Sequence, residues 1–212
     1  MKKIIILLCC GLLTSSLFAQ NTGSIVLNQP DTTGGLPVMK ALSLRASQRD
    51  FDTVDLKLQD LSNLLWAANG VNRRTEGKRT APSAQNAQDI DIFVFLKTGT
   101  YLYNAQKNVL EFQANGDNRN LFPGKPGETT PPLICLMVSD ISRFKFGEDS
   151  IRLEWGAMDA GIVSQNITIF CASAGLATRP RSGFDRQKIK DLLKLKPTQY
   201  PMMNTPVSYK KH

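Results

Sequence analysis

The pattern of apolar and polar positions predicts two amphipathic helices and one long apolar helix. A stripe with spacings of three and four residues predicts a helix opened by Thr53 and closed by Asn69-Gly70; its members are Leu58, Leu61, Leu64, Leu65 and Ala68. Residues 155–174 form a longer, more apolar helical stretch, and Gly175 fits the position just past its end. A last helix follows Asp185, a good N-cap, and stops at Pro197.

Other segments have the patterns of strands. Residues 89–96 alternate, with Asp89 and Asp91 on one side and apolar residues on the other. Residues 100–103 and 109–112 flank a five-residue loop and predict a hairpin, and residues 133–138 predict a buried strand. The extended tail at 200–209 contains Pro201 and Pro206, which favours a sheet edge. Helices and strands mix without regular alternation, which is typical of an α+β fold.

Two polar stretches read as loops. Residues 71–88 carry glycine, arginine and Pro82 and predict a loop long enough to have a function. Residues 114–132 are rich in Gly, Pro, Asn and Thr without periodicity, and predict a surface loop that is either a lid or a partner-docking arm.

The N-terminus has the three parts of a secretory signal. Lys2 and Lys3 precede an apolar run at 4–13 and the small-residue site Leu17-Phe18-Ala19. The run is about ten residues long, whereas a membrane span needs about 20, so no stable membrane span is expected. We therefore expect a cleavable signal peptide at 1–19 and a periplasmic or secreted protein. A flexible N-terminal arm at 20–41 and a single domain at 42–212 would follow.

Charge and rare residues limit the chemistry. The formal net charge is +8, but the basic residues are scattered, so a solvated face with one phosphate pocket is expected rather than a nucleic-acid partner. The single histidine is His212, which excludes Ser-His-Asp and Cys-His catalysis and histidine-based zinc sites. We expect no metal and no catalytic side chain, and a bound cofactor is the natural source of chemistry. Cys135 and Cys171 are either free thiols or a disulfide.

A short basic motif near the start of the domain could bind an anion. Arg45, Ser47 and Arg49 place two guanidinium groups and a hydroxyl within five residues. On a helix or tight turn they would share a face and suit a phosphate dianion. An exposed helix end explains the same residues without a ligand.

Four separated segments resemble, in the same order, the FMN-dependent nitroreductase-like family. They are LLWAANGVNR at 64–73, RTAPSA at 79–84, the run from GIVSQN at 161–166 to AGLAT at 174–178, and SGFD at 182–185. The first is similar to the branch that includes the flavin dehydrogenases of thiazole and oxazole biosynthesis. The resemblance covers roughly residues 42–209.

The resemblance implies an FMN site. The phosphate would be bound by Arg45, Ser47 and Arg49, with Lys210 in reach. The isoalloxazine ring and ribityl chain would lie along Pro82, Ser83 and Ala84. Further contacts would come from Asn86, Gln165, Pro180, Arg181, Ser182 and Gly183.

Five positions carry a second interpretation or a departure from the family. Gln165 and Asn166 have an alternative role in satisfying nearby backbone, and Trp66 is read as a core aromatic. Relatives commonly have glycine where Gln85 and Asn86 stand, and Asn86 is the better candidate for a polar contact.

The resemblance also implies a fold and an activity. The fold would be a central, mostly antiparallel sheet flanked by helices, in a homodimer with FMN at its interface. The activity would be two-electron transfer through the flavin from a reduced donor such as NAD(P)H to a nitro, quinone or similar acceptor. The alternative is a non-catalytic flavin- or small-ligand-binding protein on the same fold. A weaker alternative is an anion- or nucleic-acid-binding surface protein.

Overall fold

The structure is a computed structural model that describes residues 23–211. The predicted signal peptide at 1–19 and His212 lie outside the described residues. The helices are α1 (Val38–Leu44), α2 (Leu58–Asn69), α3 (Asp149–Ala174) and α4 (Arg186–Leu193). The strands are β1 (Ile25–Val26), β2 (Val71–Arg73), β3 (Lys78–Arg79), β4 (Ile90–Leu96), β5 (Gly99–Asn104), β6 (Val109–Asn115), β7 (Leu133–Asp140), β8 (Leu176–Thr178) and β9 (Gln199–Tyr209).

A seven-stranded sheet in the order β1-β6-β5-β4-β7-β9-β8 forms the centre of the fold, and every neighbouring pair is antiparallel. The predicted α+β class and the predicted antiparallel sheet flanked by helices are confirmed. The β5–β6 hairpin and the β4 and β7 strands are also confirmed, close to their predicted bounds.

Apolar side chains on the two faces of the sheet build two cores. In β4, Ile90, Ile92 and Val94 pack in the larger core, which also holds α2 and α3. Phe93 and Phe95 point the other way, into a smaller core covered by α4. The period-two alternation of a strand therefore supplies both layers from one segment.

Helix α3 crosses the sheet at close range. A Cβ added to Gly156 would lie 2.9 Å from Ser139 Cβ on β7. Further along, Ser164 Oγ and Thr205 Oγ1 on β9 are 2.9 Å apart and hydrogen-bonded. Gly156 thus permits the close approach of this helix to the sheet.

Two predicted helix starts are wrong. Helix α2 begins at Leu58, because the Asp52 carboxylate accepts hydrogen bonds from the amides of Thr53 and Val54 and closes a separate turn there. Helix α3 begins at Asp149, six positions before the predicted start at Trp155. The prediction that Asp185 caps the last helix is confirmed, since its carboxylate accepts from the Lys188 amide.

Two further predictions need correction. Residues 71–88 are not simply a loop, because β2 and β3 pair within them as a small separate sheet. The tail strand β9 is not at the edge of the sheet, since the short strand β8 pairs with its last residues. Pro201 and Pro206 are tolerated because both precede the β8-paired residues 207–209.

The N-terminal segment is attached to the domain. Strand β1 pairs with β6, and Leu27 is buried in the larger core. Cys135 and Cys171 are both buried free thiols, so the disulfide alternative does not describe this structure. Among the described residues, no helix is long and apolar enough to cross a membrane.

Candidate functional site

The basic motif lies on an extended segment between α1 and β8, not on the helix or tight turn that the sequence suggested. Arg45 ends α1, and the Gln48 amide donates to the carbonyl of Thr178 in β8 at 2.9 Å. In an extended chain alternate side chains share a side, so Arg45, Ser47 and Arg49 lie on one side of the segment. All three are exposed.

Lys210 lies beside this segment. It lines one small cavity together with Ala46 and Gln48, and with Thr168 of α3. Within residues 23–211, no ion pair or side-chain hydrogen bond engages Arg45, Ser47, Arg49 or Lys210. The structure therefore places three cations and a hydroxyl, all free of described partners, along one short stretch of surface. That combination fits a phosphate dianion.

The loop at 82–88, which the resemblance implies lies along the flavin ring, has an unusual backbone. Gln85, Asn86 and Gln88 all adopt positive φ angles, of 55°, 53° and 48°. Glycine reaches this left-handed region without steric cost, which gives a physical reason for the glycine that the family resemblance leads us to expect here. In this chain side-chain contacts hold the conformation: Gln85 Oε1 accepts from the Lys145 amide at 2.9 Å. Asn86 itself is exposed.

Polar groups on neighbouring elements fix the same loop. Ser83 Oγ accepts from the Gln88 amide at 2.9 Å. The Ala84 amide donates to both carboxylate oxygens of Asp159, at 2.9 and 3.2 Å. Asp159 is 3% exposed in the middle of α3. Ser83 and Ala84 are thus held by the fold, while Pro82 is exposed.

The segment from Pro180 to Gly183 is pinned to β9. Arg181 and Asn204 exchange two backbone hydrogen bonds, at 2.7 and 2.8 Å. The Asn204 side chain donates to the carbonyls of Arg181 and Gly183, and accepts from Arg181 Nε. Ser182 and Gly183 are exposed, and a Cβ at Gly183 would meet nothing within 4 Å.

Arg181 is a half-buried cation. Its Nη2 atom is buried and has no hydrogen-bond partner. Burial, followed by the charge of Arg179, lowers the pKa of the Arg181 guanidinium. An anionic or strongly accepting ligand group beside it would relieve both costs.

The amides of α3 have different roles. Asn166 Nδ2 donates to the Ala68 carbonyl of α2 at 3.2 Å, which is the structural role predicted as the alternative. Gln165 is exposed, and its Oε1 accepts from Thr168 Oγ1 at 3.0 Å. Trp66 is half-buried, so it is not the core aromatic that the sequence predicts; its Nε1 donates to the Val71 carbonyl.

The structure places eight of the predicted site residues in two separate groups, to which Gln165 and residues 180–183 do not belong. The first, which we call the basic group, consists of Arg45, Ser47, Arg49 and Lys210 near Thr168. The second, the loop group, consists of Pro82, Ser83, Ala84 and Asn86 near Asp159. Asp159 and Thr168 are nine residues apart on α3, about 2.5 turns and roughly 13 Å along the axis. The half turn that remains after two full turns puts the two groups on opposite sides of this helix within one chain.

Comparison with known proteins agrees with these features. The family model described as the Nitroreductase family matches residues 42–209. The chain belongs to the nitroreductase family. Members of this family are generally flavin-dependent oxidoreductases.

Three relatives illustrate the similarity. A candidate nitroreductase from Ralstonia eutropha has a TM-score of 0.84 and 34% identity, covering 89% of this chain and 90% of that chain. A candidate nitroreductase from Methanocaldococcus jannaschii is 26% identical over 178 residues, 78% of this chain and 87% of its own. The E. coli microcin synthetase McbBCD complex shares the fold at a TM-score of 0.68 and 15% identity, covering 98% of this chain and 85% of that chain.

Two residues that the sequence does not predict organise the candidate site. Asp159 is a carboxylate in an apolar helix, a signal as strong as that of Gln165 and Asn166. Asn204 is a fully buried amide in a strand, and nothing in its sequence neighbourhood indicates its contact with Arg181. Within residues 23–211 no group of three or more His, Cys, Asp or Glu residues could hold a metal ion.

Proposed function

We propose that this chain is an exported FMN-dependent oxidoreductase that works as a homodimer. The observation that carries the proposal is the basic group. In it Arg45, Ser47 and Arg49 lie exposed beside Lys210, and their side chains have no partners among the described residues. Unpaired cations along one stretch of surface have the charge and the donors that would bind a compact anion. Family membership over residues 42–209 makes the FMN phosphate the best candidate.

The remaining residues fit the other parts of the cofactor. The loop group offers small side chains at Ser83 and Ala84, which leave a planar ring accessible to a donor. The exposed Ser182 and Gly183 let backbone approach the other ring face. Arg181 would place a positive charge beside the ring and favour its anionic reduced form, which raises the reduction potential.

Bound FMN would supply the redox chemistry, accepting a hydride at N5 from a reduced donor and passing two electrons to a nitro, quinone or similar acceptor. The chain's own part would be to bind and orient. Its lone histidine is the terminal residue, so no histidine of the folded core takes part in proton transfer. NAD(P)H is the donor that the family suggests, but such donors are scarce outside the cytosol. A different reduced donor would have to serve an exported enzyme.

The separation of the two groups supports a shared site. Because the basic group and the loop group lie on opposite sides of α3 within one chain, one flavin would contact the basic group of one chain and the loop group of the other. An exposed ridge on α3, formed by Ala157, Met158, Gly161 and Gln165, has the small residues that let two helices pack closely. Helix α1 adds exposed apolar side chains: Val38, Met39, Leu42 and Leu44. Pairing would bury this apolar surface.

The visible absorption spectrum of residues 20–212 tests the proposal. After incubation with FMN and removal of free ligand, we expect flavin bands near one per chain. They should bleach on addition of dithionite and return in air. Bands that bleach but cannot pass electrons to any nitro or quinone acceptor would favour the non-catalytic binding protein. Retention of no flavin would overturn the FMN-dependent oxidoreductase.

A further inference from the structure

Asp159 holds the loop group to the central helix. Its two carboxylate oxygens accept from a single donor, the Ala84 amide, at 2.9 and 3.2 Å. The side chain is 3% exposed, so this contact is shielded from water. A hydrogen bond to a buried ionised acceptor is stronger than one between neutral groups. The negative charge on Asp159 therefore decides how firmly Ala84 is held.

A second carboxyl group lies next to Asp159. Asp89, which directly precedes β4, is fully buried, and Asp159 is one of the neighbouring groups that raise its pKa. Ser139, which contacts Asp89, also lies against Gly156, one turn before Asp159 on α3. Ser139 Oγ donates to Asp89 Oδ2 at 2.5 Å. The other oxygen, Oδ1, is buried and has no donor among the described residues. One proton on Oδ1 would give it a partner and would remove a repulsion between two buried carboxylates.

The surrounding charges do not neutralise the pair. Arg143, which follows β7, is a cation whose pKa the charge of Asp89 helps to raise. Its own hydrogen bonds go elsewhere, from Nη2 to Asp91 at 2.5 Å and from Nη1 to the Gln88 carbonyl at 2.9 Å. Asp140 contributes a backbone amide to the Asp89 carbonyl, and its carboxylate is engaged by Ser142. Arg79 donates to Gln88 and leaves the pair uncompensated. Burial, with the neighbouring Asp159, raises the pKa of Asp89 to about 7.

We propose that Asp89 and Asp159 share one proton, and that Asp159 is a positioning residue whose remaining charge holds Ala84 in the geometry that the cofactor site needs. The importance of this geometry for FMN rests on the proposed function, whereas the shared proton does not. Loss of the proton would place a second negative charge against Asp159. The repulsion between the two buried carboxylates would push the Asp159 side chain away from its place beside the Ala84 amide and so loosen the loop. Cofactor affinity would then fall as the pH rises above neutrality.

Hydrogen exchange in the flavin-free protein tests the proposal independently of cofactor binding. In the wild type, protection of the Ala84 amide, corrected for intrinsic exchange, should fall at least tenfold between pH 6 and pH 8.5. Asp89→Asn keeps a donor facing Asp159 at every pH, so its protection should stay high throughout. Asp159→Asn removes the charge, and its protection should be low at both pH values. Equal pH profiles in wild type and Asp89→Asn would overturn the shared proton.

Titration of the carboxyl groups in the wild type keeps the proposal testable even if the variants misfold. By ¹³C NMR, Asp89 of the wild type should titrate near neutrality, and its pKa should fall by at least one unit in Asp159→Asn. Titration of wild-type Asp89 near pH 4 would contradict the proposal even if no variant folds. FMN dissociation constants across the same pH range then test the consequence. Weakening in the wild type but not in Asp89→Asn is expected, whereas pH-independent wild-type affinity would refute the positioning role.

Discussion

Arg179 and Glu128 form an ion pair at 2.6 Å in which the two side chains are only 14% and 8% exposed. Glu128 belongs to the long loop at 114–132, and Arg179 directly precedes the candidate site segment at 180–183. Glu128 also accepts from the Lys125 amide through its other oxygen. The far end of the loop is thereby tied to the site, while Phe122 is buried in the smaller core.

Removing the Glu128 carboxylate should release this end of the loop. We expect Glu128→Gln to lower the free energy of unfolding by roughly 1–3 kcal/mol, because a largely buried guanidinium loses its charged partner. Hydrogen exchange of residues 123–130 should rise with it. The matched control is Glu76→Gln, which breaks an exposed pair with Lys78. An equal, small effect of both substitutions would show that the Arg179 pair does not hold the loop.

The contact between Gly156 and Ser139 leaves no room for a side chain. Gly156→Ala would push a methyl group against Ser139 and near Met202, and we expect a loss of roughly 1–3 kcal/mol of stability from overpacking. Ser139→Ala removes Oγ, the nearer of the two Ser139 atoms that the methyl would meet, and retains Cβ. In a double-mutant cycle by urea denaturation, the double variant should therefore lose less free energy of unfolding than the two single variants together. Additive losses would indicate that the two residues are not in contact.

The pH dependence of stability should reveal Asp89. Its folded pKa of about 7 lies above the value of about 3.9 for an unfolded aspartate. Between these values the folded state binds the extra proton. The contribution of Asp89 to stability is therefore fully present below about pH 4 and is lost as the pH rises towards 7. The loss is at most about 1.4 kcal/mol per unit. Urea denaturation between pH 4.5 and 8 should show this decline relative to Asp89→Asn; parallel curves would argue against it.

The α3 ridge should carry the dimer contact. A Cβ on Gly161 meets nothing within 4 Å in the single chain, so Gly161→Trp should leave the fold intact and block close pairing of two ridges. Light scattering after gel filtration should give a dimer for the wild type and a monomer for this variant. Gln113→Trp, at an exposed position on β6, is the control and should remain dimeric. A dimeric Gly161→Trp protein would place the interface elsewhere.

The sequence predicts well those elements whose pattern is local. The β4 alternation, the apolar run of β7 and the Asp185 cap each depend on neighbouring residues, and each is confirmed. The family and its fold follow from four segments in a constant order. The starts of α2 and α3 are predicted less accurately, because Asp52 forms a competing local turn before α2 and the first two residues of α3, Asp149 and Ser150, are polar.

The rest depends on contacts that sequence spacing does not encode. The position of β8 beside β9 shields the tail strand from the edge. The bonds from Asn204 to Arg181 and Gly183 span more than 20 residues. Asp89 and Asp159 come from different elements, so their contact could not be anticipated from either segment. The division of the site residues between two sides of α3 likewise needs the three-dimensional fold.

The central claim is that the basic group binds FMN, and one titration tests it most directly. FMN should be titrated into residues 20–212 at fixed low salt, comparing wild type with the double substitution Arg45→Ala, Arg49→Ala. Each charge-assisted bond contributes about 1.5–3 kcal/mol, so we expect affinity to fall by at least about 100-fold. Lys107→Ala, Lys196→Ala removes the same charge from exposed positions and should bind like the wild type. Equal affinity of all three proteins, or absence of binding by the wild type, would contradict the account.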